Sequence, residues 1–166
     1  MVDVPARVLG VDPGLVATGW ALLESRPTAP GVVDCGVIET SADLPLEARV
    51  HAIYDGMHGV LDKHAPDLLV LEGLYAEYRF PQTALLMAHA RGVVCLAARQ
   101  RGVALLTLAP AEVKRAVAAN GAASKAQVQH SVQRLFGLAA LPRPSHVADA
   151  LALAFTGYVR AGGRPG

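Results

Sequence analysis

Cysteine is scarce in this 166-residue chain: only Cys35 and Cys95 occur, far apart and in ordinary apolar surroundings. Two such thiols exclude a disulfide framework and match no metal or redox spacing, and a reducing compartment is enough to explain them. Also missing is a charge-free apolar run of membrane-spanning length, and no charged-then-apolar leader is present. The expectation is a cytoplasmic protein with no membrane partner. Neither an internal repeat nor a linker interrupts the chain. One domain over 1–166 is therefore expected, with a frayed tail from about 161. Charge is nearly balanced, at +1 overall. What is abundant is apolar residues, 52% of the total, which supports a sizeable core and argues against disorder.

The balanced total hides an asymmetry. Up to Tyr78 there are 12 acids and 4 bases, a balance of −8; from Arg79 onward there are 11 bases and 2 acids, a balance of +9. The acids of the second half are Glu112 and Asp149. Its bases include Arg99, Arg101, Lys114, Arg115, Lys125, Arg134 and Arg143. Such segregation points to a polyanionic partner, against the alternative of ordinary solvated helix faces.

Hydrophobic spacing and turn residues predict the elements. Arg7 to Val11 is a short apolar run ended by Asp12-Pro13-Gly14, hence a buried strand. Val16 to Leu23 and Val32 to Thr40 read as two more strands, and short connections imply antiparallel pairing. Leu46 to His64 has helical spacing and is stopped by Pro66. Asp67 to Glu72 is a fourth strand. A long helix rich in small residues, Thr83 to Gln100, precedes a fifth strand, Val103 to Leu108. Helices follow at Pro110 to Ala119, Lys125 to Phe136 and His146 to Arg160. Ser124 and Gln127 form a capping-box pattern that starts the second of these at Lys125. The order predicts an α/β fold with a mixed five-stranded sheet, three antiparallel then two parallel strands, and helices on both faces.

Three acids sit where a core tolerates them poorly. Asp12 and Glu72 end apolar strands, and Asp149 lies near the start of the last helix, in "SHVADALALA". Unpaired buried carboxylates are costly or shift their pKa. If the first and fourth strands are parallel neighbours, Asp12 and Glu72 leave the same edge of the sheet. His146, three residues before Asp149, shares a helical face with it. Such a set suits a hard divalent ion, and two ions about 4 Å apart can drive phosphodiester cleavage. For Asp12 alone, a turn acid bonding the backbone after Pro13 explains the residue as well. For His146 alone, a first-turn residue that packs or faces solvent does so too.

The motifs "LGVDPGLVATGWAL", "LVLEGLY", "ARGVV", "EVKRAVAANGAASKAQVQHSV" and "HVADALALA" together resemble the RuvC family of Holliday junction resolvases. The likeness runs in order from about Val8 to Phe155. It implies an RNase H-like fold, a homodimer, and nicking of opposed strands in a four-way DNA junction. The implied cofactor is Mg²⁺ or Mn²⁺, two ions per active site. The implied partners are four-way junction DNA and the branch-migration proteins RuvA and RuvB. The family's catalytic and metal-holding positions fall on Asp12, Glu72 and Asp149. Its remaining position, usually Asp, falls on His146, which some relatives share. An imidazole makes the site less negative and suits Mn²⁺ better than Mg²⁺, and it should steepen the loss of activity below neutral pH.

Aromatic residues are few, eight in all, yet Tyr75, Tyr78 and Phe80 fall within six positions, beside Arg79. Rings next to a cation stack on unpaired bases. The family places an aromatic wedge at Tyr75; covering the core's edge is the other explanation, and it suits Phe80. Lys114 and Lys125 match the family's basic positions, and Lys125 stands at a helix start that favours phosphate. Arg115 and Arg143 are further DNA-binding candidates, the latter from its stiff Pro142-Arg143-Pro144 setting. Ala88, Ala90, Gly92, Ala97 and Ala98 would permit a close helix pair across a dimer, although a core helix has the same composition. An actin-like nucleotide hydrolase would need a second glycine-rich phosphate loop, which is missing. A catalytically silent DNA-binding module would have lost the acids, and a generic RNase H would need neither the Tyr75 segment nor a dimer.

Overall fold

The structure is a computed structural model that describes residues 4–74 and 81–165. Five strands are formed: β1 (Arg7–Asp12), β2 (Ala17–Glu24), β3 (Gly31–Glu39), β4 (Leu68–Glu72) and β5 (Ala104–Leu108). The helices are α1 (Leu46–His64), α2 (Pro81–Gln100), α3 (Pro110–Ala118), α4 (Lys125–Leu135) and α5 (Ser145–Arg160). The sheet order is β3-β2-β1-β4-β5. The first three strands pair antiparallel, while β1 with β4 and β4 with β5 run parallel. The architecture is the mixed sheet expected from the order of elements.

Alternation along the strands sorts the core into two layers. Val8, Ala21, Leu23 and Val70 face α5, with α3 and α4 packed outside it. Leu9, Val11, Leu22, Leu69 and Leu71 face α1 and α2. The central strands β1 and β4 are thus apolar on both faces, as fully covered strands are. α5 is buried along almost its whole length, Val147 to Tyr158, which its run of alanines permits. Among the described residues, no helix is long and apolar enough to cross a membrane.

Element ends differ from the sequence reading by a residue or two, for local reasons. α2 starts at Pro81, not Thr83, because proline needs no hydrogen-bond partner in a first turn. α5 starts at Ser145, one residue before His146, after Pro144 in an extended conformation. β1 includes Asp12, which pairs with Gly19. β2 begins at Ala17, leaving Val16 exposed in the turn. α1 keeps the bounds expected for it, and its C-cap Ala65, with a left-handed backbone (φ 41°), returns its N–H to the Leu61 carbonyl. The Ser124–Gln127 capping box is formed in both directions.

Candidate active site

The position of the acids follows from strand pairing. β1 and β4 are parallel neighbours whose last paired residues are Val11 and Leu71. Asp12 and Glu72 come next on each strand, so both leave the sheet at one edge. Counting in twos from Val8 and Val70, both carboxylates point to the face covered by α5.

The first turn of α5 brings the other donors down onto that edge. Two glycines let it approach. Gly10 lies under the middle of the helix, where an added Cβ would stand 2.0 Å from the Ala150 carbonyl oxygen. Gly19, directly across the ladder from Asp12, lies under the first turn; a Cβ there would meet the His146 carbonyl oxygen at 2.3 Å and its Cβ at 2.7 Å. The turn after Asp12 is held from within the strand. The buried Thr18 hydroxyl donates to the Gly14 carbonyl at 2.9 Å, and the Gly14 N–H donates to Thr18 Oγ1 at 3.3 Å. With the turn closed by Thr18, Asp12 is turned to His146, whose Nδ1 donates to Asp12 Oδ2 at 2.7 Å.

Asp12, His146 and Asp149 each present a ligand atom, and these atoms lie within 4.8 Å of one another. Glu72 is outside that tight triad but shares with Asp12 and Asp149 a cleft of about 280 Å³. Lys114 from α3 and Lys125 from α4 close the other side of the cleft, and Lys125 Nζ is 3.1 Å from Asp149 Oδ2. Its floor is apolar, with Val113, Val128, Ala152 and Leu153.

This packing leaves the acids electrostatically strained. Burial, then the charges of Asp12 and Asp149, push the Glu72 carboxyl up to about 7; Lys114 and Lys125 only partly offset this. Burial and Asp12 likewise raise Asp149, against Lys125 and His146. The hydrogen bond to Asp12 raises His146 above its ordinary value, opposed by burial. A divalent cation among these donors would relieve the repulsion that protons otherwise relieve. Two carboxylates and an imidazole at this spacing, with a third carboxylate in the same cleft, fit such an ion.

The other sequence candidates are more spread out. Arg115 is exposed on α3 and does not line the cleft. Arg143 borders a separate groove with Gln129, Leu141 and Ser145. Tyr75, with Tyr78, Arg79 and Phe80, lies outside the described residues. Sequence reasoning missed Thr18 and Gly19. "DPGLVATG" holds both, but only their nearness to the turn and to α5 gives them a task.

Residues 8–157 match the family model described as RuvC, crossover junction endodeoxyribonuclease. The RuvC of Gloeobacter violaceus is 42% identical over 153 residues, covering 92% of this chain and 87% of that protein. Thermus thermophilus RuvC, solved in complex with a Holliday junction substrate, superimposes with a TM-score of 0.85 at 34% identity, covering 95% and 96% of the two chains. A yeast mitochondrial Holliday junction resolvase shares the fold at 13% identity, with a TM-score of 0.62.

Proposed function

Because the chain belongs to the RuvC family, we propose that it is a crossover junction endodeoxyribonuclease that resolves four-way DNA junctions in recombination and repair. The observation that carries this reading is the meeting of Asp12, His146 and Asp149, with Glu72 in the same cleft, inside a fold matched over 95% of its length by a junction-bound RuvC.

The family is metal-dependent, and here Asp12, Asp149, His146 and Glu72 would hold the divalent ions, two per site. When bound, the ions would lower the pKa of a water and offset charge on the scissile phosphate. Asp12 and Glu72, on the rigid ends of neighbouring strands, carry the largest share of positioning. His146 and Asp149 complete the cage from α5. Lys114 and Lys125 face the phosphate from the opposite wall, and Arg115 and Arg143 extend the basic track to more distant phosphates. Tyr75 would stack on a base at the branch point. Water is the nucleophile, so no side chain need form a covalent intermediate. The imidazole favours Mn²⁺ over Mg²⁺; equal rates with the two ions at every pH would overturn that preference.

Two copies acting on one junction would account for paired cuts. α2 supports this assembly: Leu85, Leu86 and Leu96 are exposed along it, and a side chain added at Gly92 would meet nothing within 4 Å. RuvA and RuvB are the partners that family membership supports.

The test uses purified protein with a labelled four-way junction, a plain duplex and an RNA–DNA hybrid, with and without Mn²⁺. Symmetric nicks in the junction alone are expected, from a species sedimenting as a dimer. Cutting of the hybrid alone, or turnover of ATP, would overturn the reading.

A further inference from the structure

Arg91 belongs to the "ARGVV" motif but has no part in the site as described so far. It stands on α2, on the side of the sheet away from α5. Its root is fixed, because Ala90 and Val94 beside it are fully buried. Its guanidinium reaches the ends of two strands. Nε donates to the main-chain carbonyl of Glu72 at 3.3 Å, and an Nη donates to Thr107 Oγ1 on β5 at 3.0 Å.

The end of β4 needs such a donor. The ladder from β1 stops at Val11–Leu71, and one residue after Asp12 comes Pro13, which has no N–H to offer. On the other side, the Gly73 N–H bonds to the Leu108 carbonyl of β5, and among the described residues the side-chain donor to the Glu72 carbonyl is Arg91. A half-buried carbonyl without a donor is costly. The same Asp12-Pro13 step that lets β1 turn away thus leaves β1 with no N–H to offer the Glu72 carbonyl, while β5 still pairs with Glu72 on the other side. Pro13, Glu72, Gly73 and Arg91 border one small crevice of about 10 Å³, so Arg91 lies against the strand end it bonds to.

We propose that Arg91 is a positioning residue that replaces the missing ladder bond at the end of β4 and so fixes where Glu72 presents its carboxylate. The inference rests on the proposed metal-dependent site. It assigns Arg91 no contact with DNA or with the reacting atoms.

The test is a Mn²⁺ titration of the full-length, metal-stripped protein, followed by electron paramagnetic resonance, beside the thermal midpoint and junction binding in EDTA. Arg91→Met should bind Mn²⁺ about tenfold more weakly, the usual scale for loss of an orienting partner, with junction binding in EDTA unchanged. Arg91→Lys, which can reach one strand end but not both, should fall between the two and guards against a methionine variant that does not fold. Thr107→Val, which leaves the Glu72 carbonyl bonded, should change Mn²⁺ affinity less than either. In Glu72→Gln protein, adding Arg91→Met should cost little further affinity, because Arg91 acts through Glu72. Wild-type Mn²⁺ affinity in the methionine or lysine variant would overturn the proposal. So would weaker junction binding in EDTA, or losses that multiply in the double variant. Failure of the unaltered protein to bind Mn²⁺ would instead sink the metal-site reading.

Discussion

Two sets of carboxylates on this molecule behave in opposite ways. On the α1 side, Asp34 and Asp62 are exposed enough to meet a cation of their own. The hydrogen bond from Lys63 holds Asp34 below the ordinary carboxylate range, and that from Arg101 does the same for Asp62. Under α5, Glu72 and Asp149 are raised, because burial and neighbouring acids outweigh Lys114 and Lys125. The first set is satisfied by the protein itself. The second is left short of positive charge in a cleft open to solvent, which is what a site for a divalent ion beside a polyanion requires.

The largest expected effect separates these two regions directly. Asp12→Asn should abolish nicking of a labelled junction while leaving junction binding in EDTA intact, because the amide keeps the shape and loses the charge. Residual cutting within tenfold of the wild type would remove Asp12 from the centre of the chemistry.

Next comes the pH dependence of stability in metal-stripped protein. Glu72 is raised from 4.5 to about 7, so its ionised form is disfavoured in the folded state. Its contribution is complete below about pH 4.5 and is lost as the pH climbs through 7, on the order of 3 kcal/mol in all. Asp149 is also raised and acts with the same sign. His146, raised as well, contributes fully below its ordinary 6.5 and loses that contribution as the pH passes its higher folded value. Thermal midpoints should therefore fall between pH 5 and pH 8, and Glu72→Gln should flatten the fall. Asp34, being lowered, acts only in more acidic solution. A wild-type midpoint that rises across this window would contradict the assignment.

Gly19→Ala should come third. The added methyl overlaps the backbone of His146 and should cost about 1–3 kcal/mol of stability. It should also weaken Mn²⁺ binding, measured by titration calorimetry. Gly157→Ala, which meets Val70 three turns further along α5, should destabilise without that loss. The smallest effect belongs to the satisfied region. Asp62→Asn removes an exposed pair with Arg101, and nicking rates with that variant should match the wild type.

Much of the fold was legible in the residues because it rests on local rules. Alternating apolar strands, the Pro66 stop and the Ser124 capping box each act within a few positions. The acids Asp12, Glu72 and Asp149 stood out because each breaks an apolar pattern. Arg91 and Gly19 did not stand out. An arginine on a helix and a glycine in a strand are common, and their tasks arise only from what lies across space. His146 was ambiguous for the same reason: its Asp12 partner is 134 residues away.

By itself, the order of residues determined the strands and helices, the two-faced burial of β1 and β4, and which residue types were out of place in a core. These follow from hydrophobic period and backbone chemistry, which act over short stretches of chain. Only the tertiary structure decided that Glu72 shares a cleft with the triad without joining it, that α5 comes close enough to set His146 on Asp12, and that Arg91 donates to the Glu72 carbonyl, for which Pro13 has no N–H. Electrostatic and steric effects depend on separations of a few ångströms, and between distant stretches of chain those are set by packing.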